Sequence, residues 1–464
     1  MPQPANPPAG AAAPEPGAAP APKPRALLVL LALAAVVGIV VSLAAWAFLE
    51  LVHQIQTGVF TDLPKDLGYH NGTPSWFYIV VLGLAGLPTA LAIVRLPGGG
   101  GHLPAGGLKV DGGPTQPIEL PGLLLAALAS IGLGLVVGPE APLIGLGAGL
   151  GLFAIRAVKR DTPDQAQAVI AASGSFAAVA MIFGSPIIAA VILLEALGLD
   201  RQRLPLLLLP GLLAAGIGSL VSIGMGSLTG LSTSAYALGP LTLPAFATPT
   251  VPDFLWTIPL AVAMALVTFV ARQIGLRWNP IAMRKPFLLI PLAGIVVAAL
   301  ALAFHGITGK GVNEVLFSGQ DALPGLTANA GTWSVAALIW VIVFKGLAWG
   351  VSLGSFRGGP TFPAMFVGAA AGILASHLPG FDMTGAIGVG IAAGVAAMLR
   401  LPLSAVVLAT LLMSKSDPGA GPLIIVGAVV AYLASVALDR VAAPKPAAEV
   451  RTETPVAETP APAT

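Results

Sequence analysis

Gly138-Pro139-Glu140-Ala141-Pro142 decides the reading of this 464-residue chain. Glu140 is the only charged residue between Glu119 and Arg156, in a run of Leu, Ala, Gly and Val. A carboxylate at bilayer depth costs about 3 kcal/mol or more, so it faces a water-filled or protein-lined cavity and marks a pathway. Gly138 and the two prolines interrupt the helix on both sides of it. Pro139 stands where a first helical turn begins, and there its missing N–H is no loss. Leu143 to Arg156 then reads as a new helix whose N-terminus points back at the break. Unpaired N–H groups and about half a positive charge make such a terminus a ready anion site.

The same punctuation returns in the second half. Gly359-Pro360-Thr361-Phe362-Pro363 repeats the Gly-Pro-x-x-Pro frame 221 residues later (Pro142 to Pro363). Both copies place glycine five and nine residues after the second proline, at Gly147 and Gly151 and at Gly368 and Gly372. Ser185 to Val191 likewise resembles Leu401 to Val407, at an offset of 216 (Pro186 to Pro402). Two broken helices in register predict internal repeats and a binding site at the midplane.

Composition agrees. Hydrophobic residues make up 56% of the chain and charged residues 9%, against about a quarter charged in soluble domains. The class is an all-α integral membrane protein. A net charge of +2 argues against nucleic acid as a partner. With no cysteine there is no disulfide, thiolate metal site or cysteine nucleophile. His53, His70, His102, His305 and His377 have no metal-ligand spacing and read as structural; no cofactor or metal is expected.

Residues 1–24 form an Ala/Pro/Gly tail expected to be disordered, and 441–464 a Pro/Ala/Glu tail with no room for a regulatory domain. Residues 25–440 form the transmembrane domain, in halves of about 26–226 and 252–440. The run after Arg25 stays uncharged to Glu50, too long for a signal segment and long enough to span. Lys23 and Arg25 before it, with Asp62, Lys65 and Asp66 after, place the N-terminus in the cytoplasm by the positive-inside rule. A second helix, Ser75–Leu96, ends in Pro97-Gly98-Gly99-Gly100-Gly101-His102-Leu103-Pro104, which is either a flexible loop or a place where amides approach a ligand. Pro121–Val137 leads into the first break. Further helices are expected at Gln165–Phe183, Pro186–Leu197, Leu204–Met225, Asp253–Arg277, Pro286–His305, Thr332–Ser352, Pro363–Leu378, Thr384–Leu399, Pro402–Met413 and Pro422–Leu438, with Lys310–Leu326 loop-like. Two more isolated charges call for a reason. Glu195 either snorkels to the interface or has a functional role. Lys345 is either a pathway residue or the partner of a helix end.

With these pieces placed, residues 26–438 resemble the CLC family of chloride channels and chloride/proton exchangers. Gly138 to Pro142 is similar to the family's Gly-Arg/Lys-Glu-Gly-Pro motif, Gly98 to Pro104 takes the place of Gly-Ser-Gly-Ile-Pro, and Gly359 to Pro363 that of Gly-x-Phe-x-Pro. Gly184 to Glu195 resembles the segment ending in the internal proton glutamate. The resemblance implies a CLC-type inverted-repeat fold with broken helices meeting at the midplane. It implies transport of chloride or a similar small anion through a separate pore in each subunit of a homodimer. Glu140 is then the gate, Gly100, Gly101, Gly138, Ala141, Thr361 and Phe362 the anion-binding residues, and Glu195 the proton-path candidate. The location implied is the cell membrane, multi-pass, with both termini cytoplasmic, and the helices Pro186–Leu197 and Pro402–Met413 are the expected dimer interface.

The chain departs from the pattern in four places. The family's chloride-contacting serine falls on Gly101. Pro139 and Pro360 lack the N–H usually offered there. The internal glutamate falls on Ala196, with Glu195 one residue, about 100° of helix, away. The family's pore tyrosine lies on a last helix that the C-terminal tail replaces here. These departures lead to the expectation of weak or no proton coupling, against the alternative of a proton-coupled antiporter. An intramembrane hydrolase would need a Gly-x-Ser-Gly nucleophile or paired membrane aspartates, which the sequence lacks. A carrier binding H⁺ or Na⁺ at Glu140 conflicts with two anion-favouring helix N-termini.

Overall fold

A computed structural model describes residues 24–70, 72–108, 113–158, 161–198, 204–229, 238–246, 248–415 and 418–442. Both expected tails, up to residue 23 and from 443, lie outside the described residues. The regular elements of the described chain are all helices, with one isolated β-bridge. Nine of its helices are long and apolar enough to cross a bilayer, and the protein is a multi-pass membrane protein.

The first half contributes α1 (Pro24–Thr57), a short α2 (Leu63–Asp66), α3 (Ser75–Arg95), α4 (Leu120–Gly132), α5 (Glu140–Val158), α6 (Asp164–Phe183), α7 (Pro186–Leu197) and α8 (Leu204–Thr229). The second contributes α9 (Val251–Ala282), α10 (Pro286–Thr308), α11 (Ala322–Ala328), α12 (Val335–Ser355), α13 (Thr361–Ala375), α14 (Met383–Leu399), α15 (Pro402–Leu412) and α16 (Gly421–Ala442). Several elements differ from the sequence reading at their ends. The α4 helix stops at Gly132 instead of Val137, because Gly134 adopts φ +89° and turns the chain. Where the sequence suggested Leu143 and Pro363, α5 and α13 begin at Glu140 and Thr361, since proline is tolerated in a first turn. The stretch expected to be loop-like contains α11, and α16 runs to Ala442, two residues past the expected domain end.

Packing repeats between the halves. The pairs α5–α6, α6–α8, α1–α8, α1–α6 and α6–α7 recur as α13–α14, α14–α16, α9–α16, α9–α14 and α14–α15. The glycines noted in the sequence make close crossings in both halves. A Cβ on Gly147 would lie 2.4 Å from Gly174 O, and one on Gly368 2.2 Å from Gly390 O. Gly151 and Gly372 meet Ile170 O and Ala386 O at 2.6 and 2.4 Å in the same sense. Without a hydrophobic drive between helices in lipid, such backbone-to-backbone packing is what holds them. The halves are joined by α3 against α10, where a Cβ on Gly294 would meet Leu82 O at 2.0 Å, and by α7 against α15.

Three polar anchors fix elements that packing alone leaves free. Lys345, fully buried on α12, donates from Nζ to the carbonyls of Glu314, Val315 and Leu316 at 3.0, 3.2 and 3.1 Å and lies 4.4 Å from the centre of the Phe366 ring. It is thus the partner of a helix end, that of the short turn Val312–Glu314. The loop it holds reaches back to the first half, where the Phe317 N–H donates to Gly134 O at 2.9 Å. Asp253 accepts from the Thr250 and Asp382 N–H groups at 2.7 and 2.8 Å. Asp439 on α16 pairs with Arg272 at 3.0 Å and Arg400 at 2.6 Å.

Candidate functional site: two paired helix breaks

The breaks meet face to face. Gly138 and Gly359 form an antiparallel bridge in which the Gly138 N–H donates to Gly359 O at 2.7 Å and the Gly359 N–H donates to Gly138 O. A second reciprocal pair flanks it. The Ser130 hydroxyl on α4 accepts the Arg357 N–H at 3.1 Å, and the Ser352 hydroxyl on α12 accepts the Val136 N–H at 3.3 Å. Val136 and Arg357 are separated by the same 221 residues as the two breaks. The centre is therefore a local two-fold built from backbone groups, each half satisfying the N–H groups that the other leaves without a helical partner. The only sequence signal for these serines is a pair of Ser-x-Gly triplets, Ser130-Ile131-Gly132 and Ser352-Leu353-Gly354, one residue out of register with the breaks.

The prolines set how many donors each terminus offers. A helix leaves its first four N–H groups unpaired. Here Pro139 and Pro142, with Pro360 and Pro363, remove donors from each. The ladder bonds begin with Leu143 to Pro139 O at 3.0 Å and Ala364 to Pro360 O at 3.3 Å. What precedes them is Glu140 and Ala141 on α5, and Thr361 and Phe362 on α13.

Glu140 is 1% exposed. Its Oε1 accepts the Thr361 N–H across the two-fold, so the first half's carboxylate occupies the second half's helix N-terminus. That is where a bound anion would gain most from the dipole. Oε2 has no hydrogen-bond partner among the described residues, and neither does the buried Thr361 hydroxyl. Both bridge glycines make room for the carboxylate. A Cβ on Gly138 would lie 2.1 Å from Glu140 Oε2, and one on Gly359 2.0 Å from Glu140 Cδ. Phe362 closes the side, stacked on Phe183 with ring centroids 5.5 Å apart.

Of the residues singled out in the sequence, Glu140, Gly138, Ala141, Thr361 and Phe362 thus converge on the two breaks. Gly138 needs a correction, because its N–H is spent on Gly359 and what it supplies is space. Gly100 and Gly101 lie in the loop after α3, where Gly98, Gly99, Gly100 and Gly101 all have positive φ, between 57° and 97°. Such a run is open only to glycine. The loop borders a cleft of about 200 Å³ lined by Gly98, Gly101, His102, Thr115, Gln116, Glu119 and Leu123. It connects to the break through Arg357, which sequence reading passed over: Arg357 Nε donates to Gly99 O at 3.3 Å.

Glu195 belongs elsewhere. Its Oε1 accepts the Leu403 N–H at 3.0 Å, and its Oε2 accepts the Ser404 N–H at 2.7 Å and the Ser404 hydroxyl at 2.6 Å. It caps the N-terminus of α15 from α7, tying half to half. Both oxygens are engaged there.

Comparison with known proteins places this geometry. The model of the voltage gated chloride channel family matches residues 98–436. The chain is 30% identical over 365 residues to YfeO of Escherichia coli O139:H28, which is named as an ion-transport protein, covering 76% of this chain and 80% of YfeO. YfeO of Escherichia coli strain K12 / DH10B matches at 29% over 361 residues, with the same coverage. Among solved structures, a slow cyanobacterial Cl⁻/H⁺ antiporter superposes with a TM-score of 0.71 at 19% identity, covering 90% of this chain and 96% of that one. A CLC-type fluoride/proton antiporter gives 0.67 at 17% identity, covering 89% and 97%. The paired breaks, the repeat and these matches agree: the chain belongs to the voltage-gated chloride channel (CLC) family.

Proposed function

We propose that the protein carries chloride or a similar small anion across the cell membrane, along a path through each subunit that passes the paired breaks and is gated by Glu140. The observation that carries this is the Glu140 carboxylate seated on the Thr361 N–H at the start of α13. A negative group already occupies the one place where two helix N-termini and two bridging glycines converge, so an anion and the carboxylate compete for it. A proton on Oε2 would remove the charge and loosen its hold on α13, opening the place to the anion. The donors for the anion are the N–H groups of Ala141, Thr361 and Phe362.

Proton-coupled exchange is the second reading, favoured by an open Oε2 that can take a proton. Against stoichiometric coupling stands Glu195, whose oxygens are held in the α15 cap. We favour anion movement with weak or no coupling. The subunits form a homodimer, and both termini lie in the cytoplasm. Proteoliposomes under a chloride gradient should show anion flux that rises as pH falls. E140Q, with a permanently neutral side chain, should be flux-competent and almost independent of pH. Wild-type pH dependence in E140Q would place the gate elsewhere, and sodium-driven flux without anion movement would overturn the function.

A further inference from the structure

Arg357 lies in the second break, between α12 and α13, and is only 7% exposed. Its Nε donates to Gly99 O at 3.3 Å and its Nη1 to Phe356 O at 3.2 Å. Those two carbonyls take two of the five N–H groups a guanidinium carries. It makes no ion pair with another described residue; Asp439 pairs with Arg272 and Arg400 instead. The carboxylates on neighbouring elements each have one oxygen on a backbone N–H, and neither makes an ion pair with it. Glu140 is on the Thr361 N–H, and Glu119 accepts the Gln116 N–H at 2.8 Å. A buried cation with no counter-charge is expensive, and such groups are normally paired or bind a ligand.

The fold itself does not need this charge. Val136 is the two-fold equivalent of Arg357, and its N–H is held by Ser352 just as the Arg357 N–H is held by Ser130. One break is built with an apolar side chain, the other with a guanidinium. The side chain is also held in place. Gly100, with φ +73°, lies over it so that a Cβ there would sit 3.5 Å from Arg357 Cγ and 3.0 Å from Ala126 Cβ. Its head thus reaches from the break to the glycine loop, where Gly99 O accepts from Nε.

From this placement, and resting on the anion path proposed above, we infer that Arg357 is an anion ligand at the glycine-loop end of that path, its guanidinium waiting for a small monovalent anion to complete its coordination. The planar fork can also give two parallel N–H bonds to an anion with two oxygens, such as nitrate, which a lysine cannot reproduce. An anion bound there stabilises the folded protein in proportion to its occupancy.

The test is the anion-dependent rise in melting temperature of the purified protein in detergent, titrated with chloride and with nitrate. R357Q should need at least tenfold more of either anion for half of the effect. R357K should keep the chloride response within about threefold while its preference for nitrate over chloride falls at least threefold. A residue that only props the loop would lower the starting melting temperature and leave the anion titrations unchanged. Wild-type half-saturation in R357Q would overturn the inference. If R357Q does not fold, an unchanged nitrate-to-chloride ratio in R357K would do so. Absence of anion flux in the wild type would sink the proposed function instead, whereas flux with an unaltered R357Q titration sinks this inference alone.

Discussion

Thr361 has two separable functions at its position. Its N–H holds Glu140, while its hydroxyl makes no hydrogen bond among the described residues. T361V should therefore keep anion affinity within about threefold. T361P removes the N–H and should abolish measurable chloride binding by calorimetry; equal affinity in the two variants would refute the backbone assignment. Glu140 was legible in the sequence because an isolated carboxylate in an apolar run has few explanations. Arg357 was not, because it stands at the edge of a glycine-rich loop where an arginine reads as ordinary. Only its burial marks it out.

At the scale of elements, the glycine crossings carry the architecture. G147A and G368A each drive a methyl group into a backbone carbonyl, and overpacking of this kind costs about 1–3 kcal/mol. Both should lower the melting temperature by several degrees. G216A, with open space around its Cβ position on α8, should not. Equal behaviour of the three would mean that the α5–α6 and α13–α14 contacts are looser than described. The Glu195 cap makes a further distinction. E195Q keeps one acceptor oxygen and loses the charge, so the α7–α15 joint should weaken by about 1 kcal/mol, the usual cost of a lost cap. The ratio of protons to chloride moved in proteoliposomes should stay at its wild-type value. A ratio that changes in E195Q would return this residue to the proton path.

For the whole molecule, the open matter is the partner surface. Within one subunit α7 and α15 pack on each other, yet Ile187 and Leu403 near their starts are 59% and 58% exposed. Lipid-facing residues look the same, because helix association in bilayers is not driven by apolar burial. A chain with no cysteine makes the question direct. I187C and L403C should each cross-link to a dimer in membranes if this face joins two copies. A control cysteine at Leu220 on α8, exposed at 69%, should remain monomeric. Cross-linking at Leu220 with none at Ile187 or Leu403 would move the interface.

The sequence by itself determined the class, the repeat and the gate candidate, since each is written in local chemistry. Apolar length specifies a span, proline and glycine specify where a helix stops, and an unpartnered carboxylate in lipid demands a site. The spacing of Gly147, Gly151, Gly368 and Gly372 marked the repeat, and the structure showed these glycines at the helix crossings. What only the tertiary structure decided is who meets whom across 221 residues. Glu140 sits on Thr361, Ser130 and Ser352 each accept an N–H of the other half, Lys345 holds a loop, and Glu195 caps a helix of the other half. A buried polar group must find a partner, but the sequence states only the need. Which partner meets it depends on how two broken halves dock, and that is set by backbone contacts that no single stretch of sequence contains.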